Sequence, residues 1–80
     1  MKLPVIKNLA ETHNLETLKQ AEELLLNGEN LPFEVGGEDE GEQLTHILGA
    51  IDILERVKND GIDLRTAIRG FSERVRNSIS

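Results

Sequence analysis

The sequence predicts an all-α protein, a small bundle of four helices packed around the central third helix. Three observations lead there. Apolar residues recur at helical spacing in four segments, each bounded by capping or breaking residues. One of those segments is apolar over an arc too wide for a surface helix. The chain has 80 residues and no cysteine, which leaves helix packing or a partner subunit as its sources of stability. One domain, residues 1–80, is all that such a length accommodates.

The first helix is expected from about Pro4 to Thr12. Leu3, Ile6, Leu9 and Ala10 share a face, and Pro4 suits a first turn because the N–H it lacks would be unpaired there anyway. His13 falls on the apolar side at the C-terminal end, where a packing or capping role is expected. Asn14 then reads as the N-cap of a second helix, Leu15 to Asn27. Leu15, Leu18, Ala21, Leu25 and Leu26 form its stripe, Leu24 lies off it, and Gly28 supplies a left-handed stop.

Residues 29–37 (ENLPFEVGG) are irregular. Pro32 biases Leu31 towards an extended conformation, and Leu31, Phe33 and Val35 alternate as they would in a strap lying across a core. The acidic run Glu38, Asp39, Glu40 and Glu42 lacks the ligand spacing of an EF-hand loop. It reads as carboxylates in the first turn of a helix, offsetting the charge of unpaired N–H groups.

That third helix is expected from about Glu38 to Asn59. Leu44, Ile47, Leu48, Ala50, Ile51, Ile53, Leu54 and Val57 fill an arc of roughly 220°. Thr45, Gly49, Asp52, Arg56 and Asn59 are placed opposite, with His46 at the edge of the arc and open to solvent. Gly49 costs about 1 kcal/mol against alanine in a helix, so another backbone is expected to approach it. An arc this wide needs cover from at least two directions, within the chain or from a second copy. Leu24, Ile47, Ala50, Ile53, Leu54 and Val57 are the residues expected to serve the core or self-association.

Asn59-Asp60-Gly61 should end this helix. Ile62 and Ala67 can staple the next across an Asp63 N-cap. The fourth helix, Leu64 to about Ile79, places Leu64, Ala67, Ile68, Phe71, Val75, Ser78 and Ile79 on one face, with Phe71 expected deepest. Beside that face Arg65, Arg69, Ser72 and Arg76 fall within roughly 40° of one another. Guanidinium groups in such a row suit a phosphate or a carboxylate-rich partner, and can equally pair with the chain's own acids.

Composition narrows the function. The net charge is −6, with no Tyr or Trp and only Phe33 and Phe71, which argues against a nucleic-acid binder. The N-terminus lacks the apolar run of a signal peptide, and no stretch is apolar enough to span a membrane, so a cytoplasmic protein is expected. No motif for catalysis, cofactor or metal binding emerges, and His13 and His46 alone do not make a metal site.

Met1-Lys2-Leu3-Pro4-Val5-Ile6-Lys7, Gly49-Ala50-Ile51, and Ala67, Phe71, Arg74-Val75 and Ser78-Ile79 resemble a family of short bacterial helical proteins with domain-of-unknown-function status. The resemblance spans the whole chain but departs at residues 27 to 43. It implies no activity, cofactor or catalytic residue. It does imply thioredoxin-like or peroxiredoxin-like proteins as neighbours, which a chain without cysteine would meet only as a binding partner. The expectation is therefore a non-catalytic interaction or adaptor protein that self-associates as a homodimer. The alternative is a small anion- or phosphoester-binding module that uses the arginine stripe.

Overall fold

The computed structural model describes residues 2–79, with side chains described for residues 2–77. The backbone forms α1 (Leu3–Thr12), α2 (Leu15–Leu26), α3 (Glu40–Asp60) and α4 (Leu64–Ile79), with no strand among the described residues. Helices α1, α2 and α4 all pack against α3, and α1 also touches α4. The side chains of Ser78 and Ile79, expected on the apolar face of α4, lie outside the described residues.

Each boundary has a local cause. Asn14 accepts from the Thr17 N–H at 2.8 Å and opens α2. Gly28, at φ 75°, closes it: the Gly28 N–H reaches Leu25 O and the Glu29 N–H reaches Leu24 O, a Schellman arrangement. Helix α3 starts two residues later than Glu38, because Asp39 takes the N-cap and accepts from the Glu42 N–H at 2.8 Å. The Glu42 carboxylate reaches back to the Glu38 N–H at 3.1 Å, so two N–H groups before and inside the first turn are satisfied reciprocally. Gly61, at φ 66°, turns the chain out of α3, and Asp63 caps α4 by accepting from the Thr66 N–H at 2.7 Å.

The core centres on Ile6, Leu18, Ile47 and Ile53, all essentially fully buried. The buried arc of α3 has the expected width of roughly 220°, but it is rotated by roughly 40° from the arc read off the apolar residues. Leu48 drops out of it at 44% exposed, while Gly49 and His46 enter. Gly49 is no member of a polar face. A Cβ placed there would lie 3.0 Å from both Ile6 Cδ1 and Phe71 Cζ, so the glycine admits side chains of α1 and α4 rather than another backbone. Two other apolar assignments change. Leu26 is 67% exposed because α2 reaches its C-cap there, and among the described side chains of α4 the deepest is Ala67, with Phe71 half-buried against Gly49.

His46 is not at a solvent edge; it is 0% exposed. Its Nε2 stands 2.9 Å from the Lys2 amide nitrogen and its Nδ1 2.6 Å from the Gly36 carbonyl oxygen. A backbone N–H can only donate, so Nε2 accepts, and the ring proton sits on Nδ1 and donates to Gly36. One imidazole thus joins the start of α1, the second turn of α3 and the irregular strap. The strap follows the expected alternation: Val35 is buried, Leu31 and Phe33 are half-buried, and the residues between them are exposed. Phe33 stacks on His13 with ring centroids 3.9 Å apart, which gives His13 its packing role at the α1–α2 corner.

Polar contacts set the helix orientations at the rim. Arg74 donates to Asp52 at 2.7 Å with its guanidinium carbon 5.8 Å from the Phe71 ring centroid, and Lys19 meets Glu55 at 3.5 Å. Exposed pairs of this kind contribute about 0–1 kcal/mol each, so they select among packings more than they hold the fold.

Two stability outcomes follow from this packing. Gly49→Val lowers thermal stability, by about 1–3 kcal/mol of overpacking against Ile6 and Phe71. Gly70→Ala in α4, where a Cβ meets only Arg74 at 3.6 Å, raises stability by up to about 1 kcal/mol; a pair of melts compares them. His46→Leu, close in volume, orphans the Lys2 N–H and Gly36 C=O and costs about 2 kcal/mol or more. Limited proteolysis should then cut first within residues 29–38, and a strap no more exposed than in the wild type would contradict the role given to the imidazole.

Candidate functional site

Helices α1 and α4 lie side by side on α3, and between them runs a groove of about 450 Å³ lined by Lys7, Glu11, Leu64, Arg65, Ile68 and Arg69. Lys7 and Glu11 come from one face of α1. Leu64 with Ile68, and Arg65 with Arg69, are pairs one helical turn apart on α4. The floor is aliphatic and the rims are cationic. Among the described residues Lys7, Arg65 and Arg69 form no ion pair, and Glu11 is the single carboxylate of the lining.

The arginine stripe is thus divided by the fold. Arg65 and Arg69 enter the groove; Ser72, half-buried, and Arg76, exposed, do not line it. Arg74, outside the stripe, is the α4 arginine that pairs with the chain's own Asp52. Lys7, Glu11, Leu64 and Ile68 as groove residues could not be read from the sequence, because their meeting depends on how α1 and α4 sit on α3. The available signal was Lys7 next to the apolar face of the first helix.

Of the residues expected for core or self-association, Ile47, Ala50 and Ile53 are fully buried and belong to the core. Leu54 and Val57 are half-buried against it, whereas Leu24 is half-buried outside that cluster. The two histidines have structural partners, His46 at both nitrogens and His13 on Phe33. Among the described residues no group of three or more His, Asp or Glu is placed to hold a metal ion, and no helix is long and apolar enough to cross a membrane.

Asp63, the N-cap of α4, precedes the groove residues Leu64 and Arg65 in the chain and does not itself line the groove. Hydrogen bonds from the Thr66 hydroxyl and the Thr66 N–H hold its carboxyl below the ordinary carboxylate value, and the charges of Arg65 and Arg69 add to this. The same carboxylate occupies the first turn of α4, where a phosphate would otherwise find free N–H groups.

A group whose folded value is depressed contributes stability that is present above its unfolded value and lost as pH falls through the folded one. The fall in melting temperature from about pH 4 downward should therefore be shallower in Asp63→Asn, which keeps the capping oxygen but cannot titrate, than in the wild type. Parallel acid limbs in the two proteins would show that the carboxylate is not held as described.

A family model described as a family of unknown function, DUF6952, matches residues 1–80, a range that includes residues 27 to 43, where the resemblance departs. No curated protein and no solved structure matches the chain. The match extends over the full 80 residues, and the chain belongs to the DUF6952 family of unknown function.

Proposed function

We propose that the chain is a non-catalytic protein-interaction module of the cytoplasm whose docking face is the α1/α4 groove. One observation carries this reading. In a chain of net charge −6, Lys7, Arg65 and Arg69 gather around Leu64 and Ile68 with no internal ion pair among the described residues. Unpaired cations flanking aliphatic side chains favour a partner whose acidic residues bracket apolar ones. Electrostatic complementarity of this kind sets register and association rate more than raw affinity. A thioredoxin-like or peroxiredoxin-like partner would dock here without a covalent link, since the chain has no cysteine.

The alternative, a small anion- or phosphoester-binding module, draws on the same arginines. The carboxylates of Glu11 and Asp63 beside them weigh against it.

The test is capture from native lysate by the wild type and by Arg65→Glu with Arg69→Glu, both with matched melting temperatures. A stoichiometric protein retained by the wild type, released by salt and lost from the double variant is the expected result. Retention that ignores the charge reversal would remove the groove from the reading. Binding of inorganic phosphate in its place would favour the alternative.

A further inference from the structure

The charge of this chain is segregated. Residues 20–55 hold ten carboxylates and no Lys or Arg, and the remaining residues hold all nine Lys and Arg and five carboxylates. A segment of −10 and a remainder of +4 thus make up the net −6. The groove lies wholly in the cationic part. The exposed Glu29, Glu34, Glu38 and Glu40, on the strap and at the start of α3, lie in the anionic part. Among the described residues neither set forms an ion pair with the other or with anything else. The fold therefore presents an unpaired cationic groove and an unpaired anionic segment on one molecule.

We infer that the groove is filled by a second copy of the chain, through its acidic segment 29–40. This rests on the reading of the groove as a docking face and names its occupant. Three features support that choice. The segment has the charge the groove asks for: Glu29, Glu34 and Glu38 spaced along exposed irregular backbone and Glu40 at the start of α3, to meet Lys7, Arg65 and Arg69. It is present wherever the protein is, at the same concentration as the groove. A two-fold axis also lets each copy give its segment and receive its partner's, so two identical junctions close without an open end.

The net charge predicts an unusual salt dependence. At about 0.1 M salt the Debye length of about 10 Å screens the repulsion between two −6 molecules but leaves contacts in the groove. At about 1 M the length is about 3 Å, and those contacts are screened as well. Sedimentation of the pure 8.9 kDa chain should show a dimer at the lower salt and a monomer at the higher.

Arg65→Glu with Arg69→Glu, and separately Glu34→Lys with Glu38→Lys, should each weaken the dimer by roughly tenfold or more with unchanged melts. An equimolar mixture of the two variants restores a heterodimer, because one junction is native and the other has its charges exchanged. The proposal is overturned by a wild type that stays monomeric at about 0.1 M salt, by a dimer that either variant leaves intact, or by a mixture that does not reassociate. A monomer that still captures a foreign acidic protein through Arg65 and Arg69 would discard the second copy and keep the docking face.

Discussion

The imidazole of His46 is the point through which three otherwise separate pieces of backbone are held together. It has no exposed surface, accepts from the Lys2 N–H and donates to the Gly36 carbonyl. The imidazole supplies the hydrogen-bond partner of both part-buried backbone groups, and each such bond contributes about 0.5–1.5 kcal/mol. The strap has no sheet to join and no helix of its own, so its position depends on that carbonyl, on buried Val35 and on the Phe33–His13 stack. Once the strap is seated, Gly36 packs beneath Val5 and helps fix where α1 begins. The polar atom at the centre does for the irregular segment what hydrogen-bond ladders do for regular ones.

The buried arc of α3 is rotated by roughly 40° from the orientation its aliphatic residues alone would choose, which carries His46 from near the edge of the arc towards its middle. The rotation exposes Leu48 and would drive any side chain at position 49 into Ile6 and Phe71. Glycine at 49 is what makes the rotation possible, and the helix propensity lost there is offset by close packing of α1 and α4 on α3. His46 and Gly49 are thus two parts of one arrangement, and the neighbouring positions of α1 and α4 that form the groove follow from it.

Most of the fold was legible because helical proteins write their boundaries locally. Asn14, Gly28, Gly61 and Asp63 are capping residues whose chemistry acts over three or four positions, and each performs the expected task. The alternation of Leu31, Phe33 and Val35 likewise carried the strap. What could not be read were properties of helix pairs. Hydrophobicity ranks histidine with the polar residues and glycine with neither, so a periodicity argument placed His46 and Gly49 outside the core. Whether Phe71 or Ala67 lies deeper depends on the distance between α4 and α3, which no single helix encodes. The arginine stripe was visible as a stripe, but its division into groove arginines and outlying ones needed the position of α1.

The groove is then a consequence of fold and charge together. An acidic protein that merely needed solubility could scatter its nine cations among its fifteen carboxylates and neutralise both locally. This chain uses Lys19, Arg56 and Arg74 that way, against Glu55 and Asp52. Among the described residues Lys7, Arg65 and Arg69 form no ion pair. They stand at the junction of two helices that α3 holds side by side, around aliphatic side chains the core leaves half covered. Desolvating a guanidinium group is unfavourable unless a carboxylate meets it, so covering this surface requires an acidic counterpart and penalises a neutral one. In the docking role we propose, selectivity for carboxylate-bearing partners follows from where α3 holds α1 and α4.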